Sequence, residues 1–115
     1  MNLIEALESN DLNTVNHLLD NPNIRYNAHA QDNEALRVAA REGHLDIVNR
    51  LLEIPAVQNN AHAENNLALR SAAQNGHLDI VNRLLEIPAV LENAHAWNNL
   101  ALRIAAENGH HQITF

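Results

Sequence analysis

An all-α solenoid of stacked helix-turn-helix units is the fold this sequence predicts, and three observations predict it. Asn27-Ala28-His29-Ala30 returns as Asn60-Ala61-His62-Ala63 and again as Asn93-Ala94-His95-Ala96, a period of 33 residues. Gly43-His44 keeps that step at Gly76-His77 and Gly109-His110, and so do Pro22, Pro55 and Pro88. Between these markers the apolar residues fall at helical spacing. A fixed period of about 20–50 residues denotes one small unit repeated, each copy covering the apolar face of the next. The register divides a single domain, 1–115, into units 1–26, 27–59, 60–92 and an incomplete 93–115. The second and third units differ only at positions 31, 32, 34, 38, 41, 42, 58 and 59 relative to their counterparts, so the core pattern is almost a copy.

Each unit reads as two short helices. The first spans about Glu34 to Glu42 and recurs from Leu67 and Leu100. Asn33, Asn66 and Asn99 precede it as N-caps, each able to satisfy an orphan backbone N–H. Leu36, Ala39 and Ala40 stand at i, i+3 and i+4 and form one apolar stripe. Gly43 then breaks the helix, because a left-handed residue costs least as glycine. Asn10 takes that place in the first unit.

The second helix spans about Leu45 to Glu53 and recurs from Leu78 to Glu86. Its buried stripe is Leu45, Val48, Leu51 and Leu52. Asp46–Arg50 and Asp79–Arg83 are i,i+4 pairs in the favourable order, each worth about 0.2–0.5 kcal/mol. Pro55 and Pro88 end the helix, since a residue before proline is pushed out of the helical region. The polar, Asn-rich stretch from Ala56 to Asn66 reads as an extended loop joining one helix pair to the next.

Composition narrows the function. The chain has 115 residues, 3% of them aromatic, so the core must be built from Leu, Ile, Val and Ala. Seven basic residues against fourteen acidic ones give a net charge of −7. That balance opposes phosphate backbones, which need clustered cations, and no nucleic acid is expected as partner. No basic amphipathic run suggests a membrane surface. Cysteine is absent, which removes disulfides, thiolate nucleophiles and Cys-based zinc sites. The N-terminus, Met1 to Glu5, has no classical signal-peptide pattern, so a cytoplasmic location is expected.

From Asn66 through Leu85 the unit resembles one repeat of the ankyrin repeat family. The Leu-x-x-Ala-Ala, Gly-His-Leu-x-x-Val and Leu-Leu blocks stand at the family spacing, and Asn60-Ala61 is similar to the pair that opens the family's finger hairpin. The resemblance covers essentially the whole chain and implies an ankyrin-type α-solenoid that binds a protein partner. Two departures stand out. Glu34-Ala35-Leu36-Arg37 and Leu67-Ala68-Leu69-Arg70 replace the family's Thr-Pro-Leu-His, and Ile54-Pro55 and Ile87-Pro88 replace its glycine after the second helix. The variant style is similar to ankyrin arrays of intracellular bacteria and large viruses, which would place a secreted effector in the host cytosol.

No catalytic set is visible: there is no nucleophile beside a His, no phosphate loop and no HExxH. The two histidine ladders, His29, His62, His95 and His44, His77, His110, supply single donors on successive layers. Packed helices lie about 8–10 Å apart, whereas zinc needs about four ligands around one point. The ladders are therefore read as local structure, with the Gly-His ring bonded to backbone, and no metal or cofactor is expected. Asn27, Asn60 and Asn93 are read as tying loop backbone. Arg37, Arg70 and Arg103 form either a cationic row or internal pairs with acids such as Glu34 and Glu42.

Binding is expected where the otherwise constant units vary. Gln31, Glu64 and Trp97 correspond at the finger, Val38, Ser71 and Ile104 on the first helix, and Arg41, Gln74 and Glu107 near its end. The resemblance implies that these positions line a concave partner-binding groove. Trp97 is the sharpest of them, because Trp dominates many interfaces; its alternative role is to cover the end of the array. The last unit lacks the Leu-Leu of a second helix, which predicts self-association through an uncapped C-terminal end, or a frayed last helix. The alternative reading of the whole chain is a structural spacer or a fragment of a longer array.

Overall fold

The computed structural model describes residues 2–96. The helices come in trios: α1 (Leu3–Glu8), α2 (Leu12–Leu19) and α3 (Pro22–Tyr26); α4 (Ala30–Glu42), α5 (Leu45–Leu52) and α6 (Pro55–Asn59); α7 (Ala63–Gln74), α8 (Leu78–Leu85) and α9 (Pro88–Ala96). Among the described residues there is no strand. The first helices α1, α4 and α7 pack side by side in one row, and the second helices α2, α5 and α8 in another. The stack measures 39 × 23 × 19 Å. The incomplete unit beyond Ala96, and with it the expected C-terminal self-association, lies outside the described residues.

The core repeats with the sequence. Leu36, Ala39 and Ala40 of α4 are buried, and so are Leu69, Ala72 and Ala73 of α7. Alanine at two of three positions lets the first helices approach closely. The second helices bury Val48, Leu51 and Leu52 as their stripe predicts, together with Ile47, while Leu45 is only half-buried. A fully buried Leu or Ile contributes about 1.5–3 kcal/mol, so these rows supply most of the cohesion between units.

Two features differ from the sequence reading: α4 and α7 start four residues earlier than expected, at Ala30 and Ala63, and a further element appears. The joining segment is a short third helix, not an extended loop. Pro22, Pro55 and Pro88 stand at the start of α3, α6 and α9. Proline terminates the helix before it, yet its fixed φ and missing N–H suit the first turn of a new one. Val57 and Val90 of these third helices are fully buried.

The helix ends also differ from one unit to another. Asp11 caps α2: its carboxylate accepts from the Thr14 backbone N–H at 3.1 Å and from Thr14 Oγ1 at 2.6 Å. The hydroxyl bond, and then the backbone bond, hold the Asp11 carboxyl below the usual carboxylate range. His44 and His77 occupy the corresponding place in the next units and make no side-chain cap bond to their own helices. Gly43 ends α4 with φ +80°, and Asn10, its counterpart, is also left-handed at φ +54°.

Asn33 and Asn66 do not cap by the expected route. Both are left-handed, at φ +63° and +61°, and both are buried. Asn33 Nδ2 donates to the Val57 carbonyl at 2.7 Å, and Asn66 Nδ2 to the Val90 carbonyl at 2.8 Å. Each therefore ties the start of its trio to the third helix of the same trio. Asn99 lies outside the described residues.

Candidate functional site

Gln31 and Glu64 stand in the first turns of α4 and α7, left-handed at φ +60° and +57°, with exposed side chains. Their carbonyls are held from within: Arg37 Nη2 donates to the Gln31 oxygen and Arg70 Nη2 to the Glu64 oxygen, each at 2.8 Å. The recurring arginines are thus engaged internally, on backbone oxygens in the turns. Arg41 and Gln74 are exposed near the ends of α4 and α7. Arg41 Nε lies 3.2 Å from Glu42 Oε1. A pair that open to solvent contributes at most about 1 kcal/mol and leaves the guanidinium available.

Since α4 and α7 pack against each other, these exposed residues form two rows along the stack, Gln31 with Glu64 and Arg41 with Gln74. Ser71 is half-buried. Val38 is 6% exposed and belongs to the core, so it presents almost no surface. Trp97, Ile104 and Glu107 lie outside the described residues.

Other polar side chains act between layers. His77 Nε2 donates to the Arg41 carbonyl at 3.0 Å, reaching back one unit. A carbonyl only accepts, so this nitrogen carries the proton. The ring fills the space beside Gly43, where an added Cβ would stand 2.5–2.9 Å from three ring atoms. Arg50 Nε donates to Asn16 Oδ1, and Arg83 Nε to Asn49 Oδ1, both at 3.0 Å. These bonds replace the expected pairing with Asp46 and Asp79 as the arginines' principal contact. Asn27 and Asn60 donate to the carbonyls of Asn23 and Ala56. Among the described residues no group of three or more His, Asp or Glu stands close enough to hold a metal ion. No helix among them is long and apolar enough to cross a membrane.

A groove of about 600 Å³ runs between α3 and α6. Pro22, Arg25, Tyr26 and His29 face Ile54, Pro55 and Ala56 across it. Tyr26 is 77% exposed, the one large apolar side chain so exposed among the described residues. A smaller groove of about 320 Å³ recurs one unit on, where Gln58 and Asn59 stand in place of Arg25 and Tyr26. Sequence reading missed this surface. Positions 58 and 59 vary between units, which was the available signal, but a segment read as extended offers no groove.

The family model for ankyrin repeats (3 copies) matches residues 3–93. No curated protein and no solved structure gives a match.

Proposed function

Because the chain belongs to the ankyrin repeat family, whose members are generally protein–protein interaction modules, we propose that it binds a partner protein through the first-helix side of the stack. The contact residues are Gln31, Glu64, Arg41 and Gln74, with Ser71 beside them. The register adds Trp97, at the place of Gln31 and Glu64, as well as Ile104 and Glu107. One observation carries this reading: on two units with nearly the same core, the exposed positions Gln31, Arg41 and Glu42 of α4 change while the buried ones, Val38 excepted, stay. Buried identity keeps the stack rigid, so little conformational entropy is lost when a partner docks. Exposed variation gives each layer its own chemistry.

Affinity capture followed by mass spectrometry tests it, with three forms of the chain compared: the wild type, Trp97→Ala, and the double variant Arg41→Glu with Gln74→Arg. The expected result is a protein recovered by the wild type and lost by the double variant at an unchanged melting temperature. Equal recovery by all three, or none above the tag control, overturns this surface and favours a spacer.

A further inference from the structure

Resting on the reading of the chain as a protein-binding module, we propose that the groove between α3 and α6 is a second docking site. Its occupant is an extended segment of a partner protein in which a prolyl or aliphatic side chain stands beside a carboxylate.

The apolar half of this chemistry comes from Tyr26. Its ring is exposed on the groove wall with Pro22, facing Pro55. The core does not use the ring, and flat aromatic and prolyl surfaces accept a prolyl or aliphatic side chain with little ordering cost. The charged half comes from Arg25. Most other arginines among the described residues are engaged, Arg50 with Asn16, Arg83 with Asn49, and Arg37 and Arg70 with backbone carbonyls, while Arg41 lies beside Glu42 on the first-helix side. Arg25 is exposed at the groove with no such bond, in a chain whose net charge is −7. A guanidinium in that position is complementary to a carboxylate, which it can grip through two parallel N–H donors. The acidic chain as a whole repels a strongly acidic domain, so the carboxylate belongs to a short segment that reaches Arg25 locally.

The repeat supplies its own control. Ile87-Pro88-Ala89 rebuilds the Ile54-Pro55-Ala56 wall one unit on, but Gln58 and Asn59 replace Arg25 and Tyr26, and the Arg83–Glu86 pair at 3.3 Å lines that second groove. The fold therefore tolerates other residues at both positions. Arg25 and Tyr26 are what set the first groove apart from its copy.

Selection of a phage-displayed random octapeptide library on the full chain, followed by fluorescence anisotropy of the enriched peptides, tests this. Enriched sequences should carry Asp or Glu within two residues of Pro, Leu or Ile. Tyr26→Ser should weaken them about tenfold. Arg25→Gln should weaken them about fivefold, and replacing the peptide acid by its amide should then cost nothing further. The pair Gln58→Arg with Asn59→Tyr, both at exposed positions, should raise the stoichiometry from one peptide to two. Failure to enrich acidic-apolar peptides overturns the site, as does binding indifferent to both Tyr26→Ser and Arg25→Gln. A dimer in sedimentation that Tyr26→Ser abolishes overturns it in favour of a second copy of the chain as occupant. The Arg41→Glu, Gln74→Arg variant should bind these peptides normally, so this groove and the first-helix surface can fail separately.

Discussion

Gly43 has two reasons to be glycine, and they can be separated. Its φ of +80° disfavours any side chain, and the His77 ring occupies the volume where a Cβ would go. Gly43→Ala should lower stability by about 2–3 kcal/mol in urea titration, combining backbone strain with overpacking. In a His77→Ala background the same change should cost about 1 kcal/mol, since only the backbone part remains. Equal costs in the two backgrounds would show that the ring is not what the glycine accommodates. Asn33 makes a similar pair of demands. Asn33→Ala should cost about 1–3 kcal/mol for the Val57 carbonyl left without its donor, plus about 1 kcal/mol for a left-handed alanine. Asn33→Gly relieves the second term and keeps the first; thermal melts of the two variants should differ by that amount. Neither demand was legible in the sequence. Asn before a helix has an ordinary explanation as a cap, and a bond reaching from Asn33 to Val57 leaves no local signature.

The helices themselves were legible, because apolar spacing and glycine breaks report local geometry directly. The third helix of each trio was not. Its only markers are Pro55 and Pro88, and proline signals an end as readily as a beginning. The groove at Arg25 and Tyr26 was hidden for the same reason, since it exists only if α3 and α6 are helical. At helix starts the units divide the work differently. Asp11 caps its own helix, while His77, two layers on, makes no side-chain cap bond to its helix and bonds the Arg41 carbonyl of the preceding unit. The Asp11 contribution is pH-dependent with a definite sign. A carboxyl held low in the folded state stabilises fully above its ordinary value of 3.8, and that gain disappears as pH falls through the lowered folded value. Asp11→Ala should therefore lower the melting temperature at neutral pH, and the gap from wild type should close on acidification below that range. A gap that stays constant down to strongly acidic pH would contradict the cap.

As a whole the molecule is a row of layers, and its stability is a sum over layers and the contacts between them. Within the described residues each second helix is bonded to the next by one arginine–asparagine contact and by a continuous apolar row. Inserting one further copy of residues 60–92 after Glu92 should therefore raise both the melting temperature and the urea m-value, because m follows the surface exposed on unfolding. An unchanged m-value would mean that the added copy does not join the cooperative stack. Hydrogen exchange on the natural chain should find the amides of α4, covered by α1 and α7, slower than those of α1, which has a neighbour on one side.

The tie from Asn33 to Val57 recurs from Asn66 to Val90, and the one from Arg50 to Asn16 recurs from Arg83 to Asn49. Every such partnership links residues at a constant distance along the chain. Unequal crossing-over that adds or drops a complete copy leaves all of them in phase, whereas gaining or losing a single codon between two partners shifts that partnership out of phase. Genes for proteins built this way can lengthen and shorten in whole steps while each step stays foldable, and their length is free to drift where their phase is not.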